Sequence, residues 1–451
     1  MAPPGAPTLA RFSRYVSHDC FRVGCSWYQP RRSFVIALDE AQRFVRQSLT
    51  PLSPLELSLD DALGCVVAEE LTARERVPGF LNSAMDGYAL RSVDTSTGSA
   101  RLRVTGSVMA GDVPAKRLMG GETMRVMTGA PVPDGADCVC MIEEVAVAPD
   151  EKSVTIHRTI GIGENVRRPG EDIAIGQILV APGNELGPTE LGVLASQGFT
   201  SVRVHPRPRV GVLSTGNELT DSTGPLKSGK IRDINRPMLL ASLRQSGFTP
   251  VDLGIIRDDQ SELAEVFQKA IMECDAVIST GGVSVGDVDH VKTVITDLCG
   301  ERAHWMQVAI KPGKPITFGV AGAQDTPVFG LPGNPVSTLV GFELYVRPSL
   351  RLLAGQKTLE RPTFNSVLDC PLPRSPDGKL HLVHVVVRIH EDGRAHVEGV
   401  RRQGSHLVSA IAGANAIAMI PDGCGFDIGE SVRTIILGTV GFAATPVWSA
   451  S

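Results

Sequence analysis

The strongest constraint on this chain is an alternation that begins after "HPRPR" at residues 205–209. "VGVLSTG" reads as a buried strand, "NRPMLLASLRQSG" as a helix ending at Gly247, "TPVDLGIIRD" as a strand and "SELAEVFQKAIMEC" as a helix. "DAVISTGG" is then a strand, "DHVKTVITDLCG" a helix, "HWMQVAI" and "TPVFGLPG" strands, and "PVSTLVGFELYVRPSLRLL" a closing helix. Short apolar runs bounded by Gly and Pro suit strands buried on both faces, and the 3.6-period segments between them suit covering helices. The expected fold class is α/β, with an open, mostly parallel sheet domain over residues 206–356.

The remainder reads differently. "FVIALDEAQRFVRQSL", starting at Phe34, spaces its apolar residues as a helix that stops before Pro51. Between 76 and 155 the pieces "RLRVTGSVMAG", "ETMRVMTGA" and "DCVCMIEEV" are separated by Gly, Pro and Asp, which predicts a β-rich insertion with Cys138 and Cys140 on a strand. Residues 34–75 and 156–205 would then form one discontinuous domain around it. From 357 to 451, "HLVHVVVRIH" and "VRTIILG" predict a small β-rich C-terminal domain. Residues 1–33 carry Arg11, Arg14, Arg22, Arg31 and Arg32 against Asp19 alone and show no sustained period. They fit a targeting peptide, a disordered tail or an over-long start, so a cytoplasmic location is expected with organelle targeting left open.

Composition narrows the chemistry. A chain of 451 residues exceeds what one core serves, so several domains are expected. No uncharged apolar run approaches the roughly 18 to 20 residues of a bilayer-spanning helix. Lys+Arg total 44 against Asp+Glu 49, a formal charge of -5, so no basic field exists to hold nucleic acid or an anionic membrane. The nine cysteines are scattered, without a C-x-x-C pair, and the ten histidines form no cluster that would hold a metal. That pattern argues against both a disulfide framework and a structural zinc site, and points to a reducing compartment.

In open α/β sheets ligands bind beyond the carboxyl ends of the strands. That rule selects Ser214, Thr215 and Glu218 after the first strand, Asp258 after the second, and Gly281, Gly282 and Ser284 after the third. Later strand ends reach Lys311, Lys314 and Pro315, then Gly333, Asn334 and Ser337 at the start of the last helix. Glycines admit a phosphate close to the backbone, a helix N-terminus adds partial positive charge, and the lysines supply full charges for an anion. Carboxylates beside phosphates make sense chiefly as Mg2+ ligands, which nominates Glu218, Asp258 and Asp289. Each element alone has a plainer reading: Gly-Gly as a turn, the Lys-Pro-Gly-Lys-Pro stretch as a solvated loop, Asp258 as a cap for the helix starting near Ser261. No Walker lysine motif or G-x-G-x-x-G follows the first strand, which weakens nucleoside-triphosphatase and dinucleotide readings. A second constellation lies in the insertion, where "NSAMDGYAL" sets Asp86 beside Gly87, "RVMTGAPVPDGAD" sets Thr128 before a turn, and "NVRRPGEDI" places Glu171 and Asp172 after Gly170. Such loops either fix local folding or reach a neighbouring subunit's cleft.

Seven stretches in order, "NSAMDGYA", "RVMTGAPVP", "GEDI", "GVLSTGNEL", "STGGVSVGDVDHVK", "KPGKP" and "GLPGNPVS", resemble the MoeA family of molybdenum-insertion enzymes, whose relatives include the E domains of gephyrin and of the plant fusion enzyme. The resemblance spans roughly residues 34 to 445. It implies an elongated homodimer of four-domain subunits with a MoaB/MogA-like α/β domain. There adenylylated molybdopterin meets molybdate, and magnesium-assisted cleavage releases AMP as molybdenum enters the dithiolene. By motif, Asp289 matches the acid required for cleavage, Glu218 and Asp258 match acids of the same cleft, and Asp86 and Thr128 match positions from the second domain. Lys311, Lys314, Ser337, Arg361 and Ser405 look like molybdate-binding positions. Asn217 stands where many relatives carry aspartate. No adenylylating domain is fused to the chain, so the resemblance implies a separate molybdopterin adenylyltransferase as partner. Two other classes stay open, a gephyrin-like scaffold and a non-catalytic molybdopterin- or nucleotide-binding protein.

Overall fold

The computed structural model describes residues 35–114, 116–282, 290–398, 404 and 407–442. Its centre is a seven-stranded sheet with helices on both faces. In chain order the elements are β1 (Val35–Ile36), α1 (Leu38–Gln47), β2 (Arg209–Thr215), α2 (Asn235–Gln245), β3 (Thr249–Ile256), α3 (Gln260–Glu273) and β4 (Ala276–Thr280). They continue with α4 (His290–Cys299), β5 (His304–Val308), β6 (Pro315–Ala321), β7 (Thr326–Leu331), α5 (Pro335–Gly341) and α6 (Arg347–Leu353). Across the sheet the order is β1-β5-β6-β7-β4-β2-β3. Every neighbouring pair is parallel except β6, which runs antiparallel to β5 and β7.

Two departures from the sequence pattern matter. Val35 and Ile36 form an edge strand against Gln307 and Val308, so the helix expected from Phe34 begins only at Leu38. Asp39 and Glu40 then occupy its first turn, where the helix dipole favours them. The second departure is β6, a largely apolar and buried strand that opens on Pro315 directly after the Lys-Pro-Gly-Lys loop and carries no period-two signal. It turns that loop into the connection of a β5–β6 hairpin.

One face of the sheet is covered by α1, α2, α5 and α6 through Ala41, Val45, Leu239, Leu243, Val340 and Leu350, all at most 1% exposed. The other is covered by α3 and α4 through Leu263, Phe267, Val291 and Ile295. The first of these cores also takes in Leu382, Ile417 and Ile435 from the C-terminal domain. There an eight-stranded sheet begins with the short strand Ile310–Lys311, which pairs in parallel with Leu380 and His381. The α/β domain and the C-terminal domain therefore share both apolar core and backbone hydrogen bonds.

The insertion is a six-stranded sheet over Gly87–Leu90 to Ser153–Ile156. Its strands alternate: Tyr88, Leu90, Cys138 and Cys140 face one core, whereas Ala89 and Val139 face the other. Burial pushes the Cys140 thiol up to about 11, and the described cysteines are free. The flanking domain packs the helix Pro188–Ser196 and a three-stranded sheet around Val67, Leu186, Leu194 and Val204. Among the described residues no helix is long and apolar enough to cross a membrane.

The shared core makes a specific expectation. Leu382 is 2% exposed at the junction of the two domains. Leu382→Ala should cost about 2–5 kcal/mol and shift the unfolding of both domains together in one denaturant transition. Separate shifts of two transitions, read by tryptophan fluorescence and far-ultraviolet dichroism, would show the cores to be independent.

Candidate functional site

The strands β2, β3, β4, β5 and β7 run the same way, so their carboxyl ends share one rim of the sheet. From β2 the chain passes through α2 to β3, then back through α3 past β2 to β4 on its other side. The crevice between β2 and β4 is thus a switch point, where loops diverge and a ligand can enter. It is held open by a close backbone approach. Gly281 has φ +94°, and a Cβ there would lie 2.2 Å from the Thr215 carbonyl oxygen. Any L side chain at 281 would force the two strand ends apart.

Around this contact the rim residues converge. The Gly281 N–H donates to the Leu331 carbonyl at 3.2 Å, and Gly333 lies against the Gly281 Cα. Gly333 and Asn334 are exposed beside them. The Thr215 Oγ1 is buried and, among the described residues, has no hydrogen-bond partner. Ser214 is differently placed: its hydroxyl donates to Asp233 at 3.0 Å, and Asp233 is held by Arg236 at 2.9 Å, all buried or nearly so. Ser214 therefore braces the strand end rather than facing the crevice.

Asn235 and Thr338 were not singled out by the sequence pattern, yet they set the shape of the rim. The Asn235 Nδ2 donates to Thr280 Oγ1 at 2.9 Å and to the Gly333 carbonyl at 2.7 Å, tying β4 to the loop after β7. The Thr338 hydroxyl donates to the Pro332 carbonyl at 2.6 Å and lies 3.0 Å from that of Asn334. In the sequence both look like ordinary helix residues; only their side-chain bonds across the chain mark them.

The acidic residues divide by what already satisfies them. Asp259, not Asp258, caps α3: its Oδ1 accepts from the Ser261 and Glu262 N–H groups at 3.0 Å each and from the Ser261 hydroxyl at 2.6 Å. Those bonds hold its carboxyl below the usual aspartate range. Asp258 is left half-buried, with Oδ1 out of contact with water and without a hydrogen-bond partner among the described residues. Its own N–H donates to Asn217 Oδ1 at 3.4 Å, which links it to the β2 end, where Glu218 is exposed. A buried carboxylate oxygen with no donor costs roughly 1–3 kcal/mol or more. A hard divalent cation shared with Glu218 is the kind of partner that relieves it, so the oxygen donors present fit Mg2+. Asp289 and Ser284 lie outside the described residues.

At the same rim the Lys311–Pro312–Gly313–Lys314 loop connects β5 to β6, with Pro315 as the first residue of β6. Gly313 (φ +94°) seats the loop on α5, its position for a Cβ being 3.3 Å from Val340 Cγ1 and 3.7 Å from the Ser337 carbonyl. Lys311 is exposed, Lys314 half-buried and Ser337 buried. Strand pairing of Lys311 with His381 brings the loop beside the C-terminal domain. Arg361 is committed elsewhere. It holds Glu343 in a bidentate pair, at 2.9 and 3.0 Å, inside the buried π-helical turn Phe342–Val346. The forked edge on which an oxyanion would sit is occupied by that carboxylate. Arg347 packs beside them, and its desolvation, followed by the Arg361 charge, brings its guanidinium down to about 10. Ser405 lies outside the described residues.

In the insertion Asp86 and Thr128 are brought together. The Asp86 carboxylate accepts from the Thr128 N–H at 2.7 Å and from its hydroxyl at 2.8 Å, on an exposed surface. Glu171 accepts from the Arg168 N–H at 2.8 Å and closes its own turn. One expectation fails: the histidines do cluster, since Asp369, His390 and His396 bring ligand atoms within 4.8 Å of one another. The sequence pattern missed this because a hairpin and a third strand unite residues that no short motif spans.

Known proteins share the fold and are similar along most of the sequence. A family profile described as the MoeA N-terminal region (domain I and II) matches residues 36–198, one described as "Probable molybdopterin binding domain" matches 211–352, and one described as the MoeA C-terminal region (domain IV) matches 368–437. The molybdopterin molybdenumtransferase of Haemophilus influenzae is 36% identical over 387 residues, covering 86% of this chain and 94% of that protein. That of Bacillus subtilis is 35% identical over 409 residues, covering 89% of this chain and 94% of its own length. The crystal structure of the molybdopterin biosynthesis MoeA protein from Pyrococcus horikoshii superimposes with a TM-score of 0.74 at 31% identity, covering 90% of this chain and 100% of that one. With the multidomain α/β fold, the glycine-turned crevice and this likeness along most of its length, the chain belongs to the MoeA family of molybdopterin molybdenumtransferases.

Proposed function

We propose that the chain is a molybdopterin molybdenumtransferase that takes adenylylated molybdopterin and molybdate, releases AMP and yields molybdenum cofactor. The observation that carries this reading is the switch-point crevice, where the Thr215 hydroxyl and an Asp258 oxygen, both without a hydrogen-bond partner among the described residues, and the lysine loop stand on a single rim. A pyrophosphate suits the crevice because the Gly281 turn leaves room for it and Thr215 Oγ1 can donate to it. Molybdate, a dianion, suits the loop of Lys311 and Lys314 above the start of α5. The Glu343 pairing removes Arg361 from that cradle in the present arrangement. Glu218 and Asp258, joined by Asp289, would hold Mg2+, which when bound neutralises the pyrophosphate and polarises the bond to be cleaved. Water cleaves the phosphoanhydride, so that AMP leaves with one phosphate and the pterin keeps the other. The two dithiolene thiols give their protons to one molybdate oxygen, which departs as water as two Mo–S bonds form with molybdenum unchanged in oxidation state. The donor of the adenylylated pterin is a separate adenylyltransferase.

Asp86 and Thr128 sit in exposed loops of the insertion, whose two cores share no residue with that of the rim. We assign them to the cleft of a second copy in a homodimer, in which the exposed pair of one subunit meets the rim of the other.

Removal of the orphaned acid is the direct test. Asp258→Asn and Asp289→Asn should each lower magnesium-dependent AMP release by roughly 100-fold while adenylylated pterin still binds within a few-fold. Unchanged release, or release indifferent to molybdate, would favour a binding or scaffold protein instead. The shared cleft has its own test. Co-expressed Asp86→Asn and Asp258→Asn chains that pair at random should recover about a quarter of wild-type activity, because half the dimers are mixed and each mixed dimer holds one intact site. No recovery would place both residues in one subunit's site.

The Asp86 bond sets a pH expectation. The Thr128 N–H, then its hydroxyl, hold the Asp86 carboxyl below the usual aspartate range. A carboxyl lowered on folding favours the folded pairing above its ordinary pKa of about 3.9 and loses it as pH falls through the lowered value. Hydrogen-exchange protection of the Thr128 amide, corrected for intrinsic rate, should stay flat from neutral to mildly acid pH and vanish only below that range. Loss of protection near pH 6 would contradict the assignment.

A further inference from the structure

The cluster in the C-terminal domain stands apart from the acids of the crevice and needs its own account. Strands Val387–Ile389 and Ala395–Val397 form an antiparallel hairpin in which Arg388 faces His396 and Ile389 faces Ala395. Its turn closes through the His390 N–H to the Arg394 carbonyl at 3.0 Å. Alternation along a strand puts His390 on the same face as Arg388, so His390 and His396 are diagonal neighbours on that face. Their rings stack with centroids 4.0 Å apart and planes 13° from parallel. Asp369 arrives from a third strand, Thr363–Leu368, which runs parallel to Ala395–Val397, and its N–H donates to the Val397 carbonyl at 3.0 Å. Backbone pairing of three strands thus delivers one carboxylate and two imidazoles to a single place.

The hydrogen bonds there do not balance on their own. Asp392 Oδ2 lies 3.2 Å from His396 Nε2, and Asp392 is itself oriented by the Arg394 N–H at 2.9 Å. Asp369 Oδ1 lies 2.7 Å from Nδ1 of the same ring, so a neutral imidazole, with one N–H, can donate to only one of the two carboxylates and turns a bare nitrogen to the other. Two lone pairs at that separation repel unless a positive charge lies between them. On the other side His390 Nε2 is shut off from water without a hydrogen-bond partner among the described residues, 3.6 Å from Asp369 Oδ2. Either each nitrogen finds a proton, or one cation serves the carboxylate and both rings.

We propose that Asp369, His390 and His396 bind one divalent transition-metal ion, with Asp392 fixing the orientation of His396. Two imidazoles and a carboxylate suit zinc, cobalt or nickel, whereas magnesium and calcium favour all-oxygen sets. The aspartate-to-histidine contact on the outer nitrogen is the usual support for a ligating ring. Bonds of about 2.0–2.1 Å from three ligands require the ring planes to open from their stack, and they leave a position for water. The ion would pin the hairpin to its neighbouring strand Thr363–Leu368 in the eight-stranded sheet. The site does not depend on the reading of the crevice, and its test uses no substrate.

The chelator-stripped full-length protein is titrated with Co2+ alone and followed by visible absorption, then with Zn2+ as competitor. One Co2+ with nitrogen-containing ligands is expected, displaced by Zn2+, with at least tenfold weaker binding in His396→Ala and Asp369→Ala. Asp392→Ala should weaken it roughly 10- to 100-fold. The Co2+ spectrum should survive Asp258→Asn, which separates this site from the crevice. Should a variant fail to fold, modification of wild-type His390 and His396 by diethylpyrocarbonate, mapped by mass spectrometry, must fall when Zn2+ is present. Absence of bound Co2+ in the folded wild type, an unchanged spectrum in both His390→Ala and His396→Ala, or Zn2+ giving no protection would overturn the proposal and leave a protonated histidine pair on Asp369.

Discussion

The structure depends on one close approach, that of Gly281 to the Thr215 carbonyl. Parallel strands place their carboxyl ends on one rim whatever their sequence, but they do not by themselves make a cavity. The cavity arises because β2 and β4 diverge into loops on opposite sides, and the backbone at 281 turns back with positive φ where a Cβ would collide. A glycine here is a geometric requirement of the crevice, with a local entropy cost that the surrounding burial offsets. Asn235 then locks the turn by bonding Thr280 on one side and Gly333 on the other.

The second requirement is that the lysine loop stay fixed relative to the crevice. Three contacts achieve this. The loop rests on α5 through Gly313, its strand Ile310–Lys311 adds to the C-terminal sheet, and that sheet buries Leu382, Ile417 and Ile435 in the core of the α/β domain. Two like charges on a hinge would drift apart in water. Held on shared core, they keep a constant relation to the rim, and charge placed before an anion arrives costs no reorganisation when it binds.

Much of this was legible in the sequence, and the limits are physical. The alternation of apolar runs with helix-period runs declared the sheet, because strands buried on both faces leave no other pattern. Glycines, lysines and acids at strand ends declared the rim, because the topology rule says where such residues meet. What escaped was decided by side-chain bonds across long separations. Asp258 and Asp259 are adjacent and alike, and only the Ser261 and Glu262 amides show which one caps the helix. Arg361 looked available for an oxyanion until the π-helical turn presented Glu343 to it. Val35 and Ile36 had helix spacing, yet an open sheet edge beside Gln307 claimed them. The pairing of His390 with His396 and Asp369 depends on strand register, which a period cannot specify.

These cases point to one criterion for separating structural acids from reactive ones in this fold. Asp233, Asp259 and Glu343 are each filled by donors from their own chain, and each holds a helix start, a strand end or an arginine in place. Asp258 keeps a buried oxygen without a donor among the described residues, beside an exposed Glu218, at the mouth of a crevice. Folding tolerates such an oxygen poorly, because its desolvation is uncompensated. The stability surrendered there is understandable if a bound cation restores the balance during turnover, since every donor the chain could have supplied would have competed with that ion. The same reasoning separates Thr215, whose hydroxyl has no partner among the described residues at the crevice, from Ser214 one residue earlier, whose hydroxyl is consumed by Asp233.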